Sequence, residues 1–442
     1  MKRHAIILVL LAICQPLAAA DLLQTYREAR ANDAVYASAL ATRDAGRENL
    51  PQGLALLLPT IGASVVTQTN DVDISFRSGL PASKREGNTN SYGVSLTQPL
   101  FNWQSIMLYK EAGYKVAQAE AVFGQATQDL IVRVAQAYFD VLASQDSLAT
   151  IQAQKTAISE QLAQAKRNFE VGTATITDTH EAQARFDLAT SQEIAAQSDL
   201  EIKQRVLQQI VGKFPDRITP LRPSTELNPP NPNVMEQWVA GAQEQNFGVH
   251  AQQAALEVAT REIERIRAGH YPTLNMVGSV SKSGSSLSAT AITSVGTDII
   301  NRSLGLQLAI PLYAGGGVNS QVRQAIANQE KARQDLENAR RNAALLTRQS
   351  YLGVINGMAQ VRALEQALVS SQSSLDSNKL GYDVGVRINI DVLNAQQQLF
   401  STKRDLSRAR YDTLLNGLKL KAASGTLGEH DVEEVNRLLG TN

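Results

Sequence analysis

Phe169-Glu170-Val171-Gly172 and Tyr382-Asp383-Val384-Gly385 are one short stretch written twice: an aromatic, an acid, a valine and a glycine in the same order. The two glycines lie 213 positions apart, at 172 and 385. The same offset relates Tyr138 and Val141 to Tyr351 and Val354, and Gly212 to Gly425. It also relates Asp178, Ala182 and Gln183 to Asp391, Ala395 and Gln396. A constant offset allows no net insertion or deletion between these landmarks. Long helices impose that restriction, because a change of length rotates a whole packing face. Self-similarity of this kind marks a duplicated structural unit.

Upstream the halves correspond more loosely. Leu58-Pro59-Thr60 parallels Tyr271-Pro272-Thr273, and Leu96-Thr97-Gln98-Pro99-Leu100-Phe101 parallels Leu308-Ala309-Ile310-Pro311-Leu312-Tyr313. Each half reads helix, strand, loop, strand, long helix, turn, helix. The first repeat is expected over 21–212, with strands at about 60–76 and 91–101 and a turn at 170–178. The second is expected over 234–425, with strands at about 273–283 and 302–313 and a turn at 382–391. Between them, 213–233 is a linker: Pro215 to Pro232 holds six of the thirteen prolines, which favours extended chain. Residues 426–442 form a short tail.

The helical stretches are long. Trp103 to Val171 contains no proline, and helical throughout it would reach roughly 100 Å. Its apolar seam runs Ile131, Val134, Tyr138, Val141, Gln145, Leu148, Ile151, Lys155, Ile158, Leu162, Ala165, Phe169, in coiled-coil steps with one phase slip at Leu148. Tyr351 to Tyr382 repeats seam and slip. Gly172 and Gly385 are the turn glycines that end these helices.

The strands alternate. Tyr92, Val94 and Leu96 face one way, and Gly93, Ser95 and Thr97 the other. Leu304, Leu306, Leu308 and Ile310 alternate with Gly305, Gln307 and Ala309. That is the membrane-barrel pattern, shared with half-buried soluble sheets. The connections Ser78 to Asn90 and Ser281 to Thr297 are polar. After the N-terminal leader no apolar run approaches the ~20 residues of a membrane helix, so a membrane reading must rest on strands. Four strands cannot close, and an open edge cannot sit in lipid. Two chains would give a barrel filled by side chains, whereas three leave room for a bore.

Composition narrows the function. Lys and Arg number 42, Asp and Glu 42, so the net charge is zero and nucleic acid is not an expected partner. Lys2 and Arg3, the apolar stretch Ala5 to Ile13 and Ala18-Ala19-Ala20 read as a signal peptide over 1–20. It holds the only cysteine, Cys14, so the mature chain is expected to lack disulfides. His4, His180, His250, His270 and His430 are scattered without metal spacing, so no metal or cofactor is expected. Gly315-Gly316-Gly317 lacks the Lys-Ser/Thr of a phosphate loop and reads as a strand-to-helix bend. No catalytic residue stands out, and no enzyme is expected.

Three segments carry a resemblance: Ile310 to Gly316 followed by Val318-Asn319-Ser320-Gln321-Val322; Gly381 to Gly385 with Ile390-Asp391-Val392-Leu393; and Ala409-Arg410-Tyr411. In this order and spacing they resemble the TolC family of outer-membrane efflux and secretion channels, over essentially the whole mature chain. The resemblance implies a mixed α and β membrane protein. A trimeric twelve-stranded β-barrel would be continued by a coiled-coil helical barrel, with the linker and tail forming an equatorial belt. It implies residence in the outer membrane and its lipid, with an extension into the periplasm. It also implies two partners, a periplasmic adaptor (membrane fusion) protein and an inner-membrane pump of ABC or RND type. The duct would pass drugs or secreted proteins and be gated at its periplasmic end.

By the same resemblance Asp391 lines the periplasmic constriction, three copies forming an acidic ring that selects cations. The family often carries a second acid where this chain has Asn394, so weaker cation selectivity is expected. Asp391 and Asn394 answer to Asp178 and Glu181, so the two turns are not chemically equal. Tyr382 and Arg387 would tether the inner coiled coil near Thr177 and Asp178. Asp178 and Asp391 also fit the role of helix N-caps. The alternative reading, a periplasmic coiled-coil adaptor or scaffold, shares the hairpins and the leader but needs no bilayer-length strands.

Overall fold

The computed structural model describes residues 20–75, 77, 83–213, 215, 217–222, 225–286 and 296–440. Of the expected signal peptide only Ala20 is among them; Cys14 and the remainder lie outside the described residues. The elements are α1 (Leu22–Asn32), α2 (Ala34–Arg47), α3 (Asn49–Ala55), β1 (Thr60–Ile74), β2 (Ser83–Phe101), α4 (Trp103–Glu170) and α5 (Ile176–Val211). Then follow α6 (Met235–Gln245), α7 (Phe247–Arg267), β3 (Thr273–Ser285), β4 (Thr297–Ala309), α8 (Gly317–Asp383), α9 (Asn389–Ala423) and α10 (Glu429–Asn436). No helix among the described residues is long and apolar enough to cross a membrane. The chain forms two compact units. One holds the described residues up to Ala41, Phe123–Val249 and everything from Arg340; the other holds Thr42–Val122 and His250–Ala339.

The second unit contains a single antiparallel sheet in the order β1-β2-β3-β4. Its register sorts the side chains into two faces. Ile61, Leu96, Gly278 and Leu304 form one row across the sheet, and Val65, Tyr92, Lys282 and Ile300 another on the same face. The opposite face carries Gly62, Ser95, Ser279 and Ser303 in one row and Ser64, Gly93, Ser281 and Asn301 in the next. The apolar face is bare: Ile61 is 73% exposed, Val65 77% and Leu304 75%. A sheet with an uncovered apolar face and a serine-glycine face has the polarity of a barrel wall between lipid and water.

Strand limits differ from expectation at the polar ends. β2 starts at Ser83, not near 91, and β3 runs to Ser285. Asp71 pairs with Glu86 and Asp73 with Lys84 in the ladder, and Lys84 Nζ lies 3.2 Å from Asp71. Backbone pairing continues where both faces are wet, and there hydropathy alternation is silent. The expected polar loops Ser78 to Asn90 and Ser281 to Thr297 therefore shrink to segments largely outside the described residues. β4 occupies Thr297–Ala309 instead of 302–313. Ile310 to Tyr313 leave the sheet because Pro311 has no N–H to donate.

In the first unit the expected seam is mostly buried. Ile131, Val134, Tyr138, Val141, Ile151, Ile158, Leu162 and Ala165 of α4 are in the core, as are Tyr351, Val354, Met358, Val361 and Leu375 of α8. In α4, Gln145 and Leu148 are only half-buried, and two positions depart further. Lys155 is half-buried, its amine snorkelling to Glu193 at 2.9 Å across Phe186, while Gln154 is buried beside it. Phe169 is 44% exposed because α4 ends at Glu170 and nothing beyond covers it.

The unit's largest cluster joins α1, α4, α5, α9, α10 and the linker through Leu22, Tyr26, Tyr138, Leu207, Ile218, Leu418, Val432 and Leu439. Linker and tail add backbone bridges, Ala20 with Ile218 and Leu221 with Leu439. Asp33, which caps α2 by accepting from Tyr36 N at 2.6 Å, also takes a two-pronged bond from Arg133 at 2.9 and 3.0 Å. Burial pushes the Asp33 carboxyl up, but the Arg133 fork and the backbone N–H groups of Tyr36 and Val35 outweigh it and hold it below the usual range. A depressed carboxyl stabilises the fold above its unfolded pKa, and that stability is lost as pH falls through the folded value. Asp33→Asn is therefore expected to cost about 2 kcal/mol at neutral pH, less than a fully buried pair because Arg133 is partly exposed. The difference from wild type should shrink once the medium is more acidic than the usual Asp range. Urea melts in detergent at neutral and acid pH check this; an equal deficit at both would contradict it.

Candidate gate at the helix turns

Both hairpin turns are closed by the same backbone bonds. Thr173 N and Ala174 N donate to Asn168 O at 2.8 and 3.2 Å; Val386 N and Arg387 N donate to Gly381 O at 2.9 and 3.0 Å. These 6→1-type closures need a left-handed residue, supplied by Gly172 (φ 79°) and Gly385 (φ 78°). The loops are shorter than expected, since α5 resumes at Ile176 and α9 at Asn389.

The helices that follow start differently. Thr175, not Asp178, is the N-cap of α5. Its hydroxyl accepts from Asp178 N, and the Asp178 carboxylate accepts from Thr175 N at 3.0 Å, closing a capping box. The equivalent N-cap of α9 is Ile388, which has no side chain to offer. Asp391 is thus released from capping and lies 3.7 Å from Arg387 Nη1. The Arg387 stem runs over Gly381, where a Cβ would collide with its Cγ. Ile388→Thr is expected to complete the missing box and draw Asp391 into it, a gain of roughly 1 kcal/mol. Amide exchange at residues 389–391 should slow; an unchanged rate would count against the box.

Two adjacent residues of α9 divide between two cores. Leu393 packs with Ile158, Leu162, Ala165, Ala182 and Ala189 of the first hairpin. Val392 packs with Leu375, Leu399 and Tyr382 of the second. Asp391 and Asn394, one helical turn apart, flank this buried pair, with Asn394 exposed and Asp391 a third exposed.

The expected tethers are placed as follows. The Tyr382 hydroxyl accepts from Asn168 Nδ2 of the first hairpin at 3.1 Å. The Asp178 carbonyl accepts from Asn389 Nδ2 at 3.2 Å, while its carboxylate stays in the capping box. Thr177 is exposed on the first turn of α5. Arg387, in the turn before α9, meets Asp391 of the same chain.

Other residues bridge the hairpins. Gln161 Nε2 donates to Asn389 Oδ1 at 2.6 Å, with Asn389 only 1% exposed. Arg185 donates from Nη2 to Asn394 Oδ1 at 2.9 Å and from Nη1 to Gln397 Oε1 at 2.6 Å. Hydrophobic patterning does not reveal these residues. Gln161, Asn168, Arg185 and Asn389 correspond under the 213-residue offset to Ser374, Gly381, Gln398 and Ile176. Each bridging side chain sits where the halves differ.

The chain matches the family described as Outer membrane efflux protein over residues 25–213 and 238–426, once for each half. It is 34% identical over 418 residues to the outer membrane protein TolC of Vibrio cholerae, covering 95% of this chain and 93% of that one. To the alkaline protease secretion protein AprF of Pseudomonas aeruginosa it is 33% identical, covering 94% and 87%. To the proteases secretion protein PrtF of Dickeya chrysanthemi it is 31% identical, covering 98% and 95%. The fold is shared with the solved Campylobacter jejuni CmeC outer membrane channel, at TM-score 0.80 and 15% identity, covering 96% and 91%. CusC superposes with a TM-score of 0.79 at 19% identity, covering 92% of both chains. Strands of barrel polarity, a duplicated mixed α and β fold and relatives matched along nearly their whole length set aside the periplasmic-scaffold alternative. The chain belongs to the outer membrane efflux protein family and is an outer-membrane exit duct of the efflux and secretion class.

Proposed function

We propose that three copies assemble the duct and that its periplasmic end is a gate controlled by a pump and an adaptor. The observation that carries the trimer is the sheet: β1 and β4 are free edges beside an apolar face, and such edges persist in lipid only when closed by neighbours. Three chains supply twelve strands and an open bore. Partners on the inner side, a periplasmic adaptor (membrane fusion) protein and an ABC or RND pump, would supply the energy and choose the cargo. AprF and PrtF, named for protease secretion, favour a secreted-protein cargo alongside efflux.

In this reading Asp391 and Asn394 line the constriction, and Tyr382 and Arg387, with Thr177 and Asp178 of a neighbouring hairpin, hold it shut. The release of Asp391 from capping supports its availability to the bore. Cross-linking in detergent is expected to stop at trimers, and a ladder ending at dimers would overturn the assembly. In planar bilayers Asp391→Asn is expected to lower the cation-to-anion permeability ratio measured in a potassium chloride gradient. An unchanged ratio would remove Asp391 from the mouth.

A further inference from the structure

We infer that Arg185 sets the charge of the mouth and suppresses the cation selectivity that an acidic ring would confer. The inference rests on the proposed placement of Asp391 and Asn394 at the constriction.

The geometry is specific. The Arg185 fork reaches from α5 of the first hairpin to α9 of the second and grips two carbonyl oxygens there, Asn394 Oδ1 at 2.9 Å and Gln397 Oε1 at 2.6 Å. Both partners are neutral amides, so the guanidinium is held in place while its charge is left uncancelled by them. Arginine stays charged at any accessible pH, and its planar fork suits two acceptors. A full positive charge is thereby fixed within hydrogen-bonding distance of position 394.

The neighbouring charges decide the sign. Asp391 is opposed by Arg387 at 3.7 Å. Asp178 is engaged in the capping box at the start of α5. Glu181 stands one turn before Arg185 on the same helix. Glu181, Arg185, Arg387 and Asp391 together sum to zero, which leaves only the capped Asp178 carboxylate as net charge per chain. Such a mouth favours cations only weakly. A carboxylate introduced at 394 would meet Arg185 first and be neutralised by it.

Reversal potentials in a potassium chloride gradient test this with intact trimers in planar bilayers. The parent channel is expected to be only weakly cation-selective. Arg185→Gln leaves one further acid per chain uncompensated, and three such charges near a passing ion should raise the cation-to-anion ratio by roughly fivefold after salt screening. Arg185→Lys keeps the charge without the fork and should stay close to the parent. Asn394→Asp alone should shift the ratio less than Asn394→Asp combined with Arg185→Gln. If Arg185→Gln leaves the ratio unchanged while Asp391→Asn moves it, the role of Arg185 is overturned and the constriction stands. If neither moves it, the constriction falls too. If Arg185→Lys behaves like Arg185→Gln, the fork's grip and not its charge is responsible, and the inference is wrong.

Discussion

Channels built from chains carrying Tyr382→Phe together with Arg387→Glu are expected to conduct far more at rest than the parent. Phe at 382 keeps the ring against Leu375, Val392 and Leu399 and removes only the hydroxyl that accepts from Asn168. Glu at 387 turns an attraction with Asp391 into like-charge repulsion at the same i,i+4 spacing. It also lifts the arginine stem from Gly381. Each lost contact is worth about 1 kcal/mol or less. In a symmetric trimer the losses recur three times on one equilibrium, which shifts the closed-to-open ratio by on the order of 10²-fold. Single-channel conductance is the readout, and a double variant with the parent's conductance would refute the tethers.

The second large effect lies far from the turns in sequence. Tyr138→Ala is expected to destabilise the first unit by about 4 kcal/mol, the range for emptying a buried aromatic site. Tyr138 has no exposed surface and donates to Thr219 O at 2.8 Å. Burial pushes its phenol pKa up, so it remains the protonated donor. Its ring meets Phe139 edge-on at 5.9 Å, and Phe139 stacks on Tyr411 at 5.7 Å. Tyr138→Phe preserves that packing and forfeits the bond to the linker carbonyl, for roughly 1.5 kcal/mol. Urea unfolding followed by circular dichroism separates the two; a Phe variant as damaged as the Ala variant would show that packing is not what the site supplies.

These cases show what can be read from residues alone. Tyr138 and Tyr351 stood out because a seam of constant period needs no knowledge of its partner. Gly172 and Gly385 stood out because a left-handed turn residue has few alternatives. The polar starts of β2 and β4 were hidden, since a ladder in water on both faces leaves no alternation. Assigning the N-cap to Asp178 missed by three residues: Thr175 and Asp178 both have capping chemistry, and only geometry shows which one starts the helix. Asn168, Gln161, Arg185 and Asn389 were hidden for another reason. Each finds its partner more than 200 residues away, and nothing local specifies that meeting.

The unequal helix starts have a mechanical consequence. With Thr175 and Asp178 locked together, α5 begins as a rigid rod, whereas α9 begins at an uncapped Ile388. A capping box is worth roughly 1 kcal/mol, so the first turn of α9 frays several times more often than that of α5. In the proposed trimer this would alternate stiff and compliant staves, like a cask in which every second board can flex. Motion that widens such a ring would concentrate in the three softer members, which also carry Asp391. The duplicated chain would then divide its labour by stiffness: one copy keeps the wall, and the other yields.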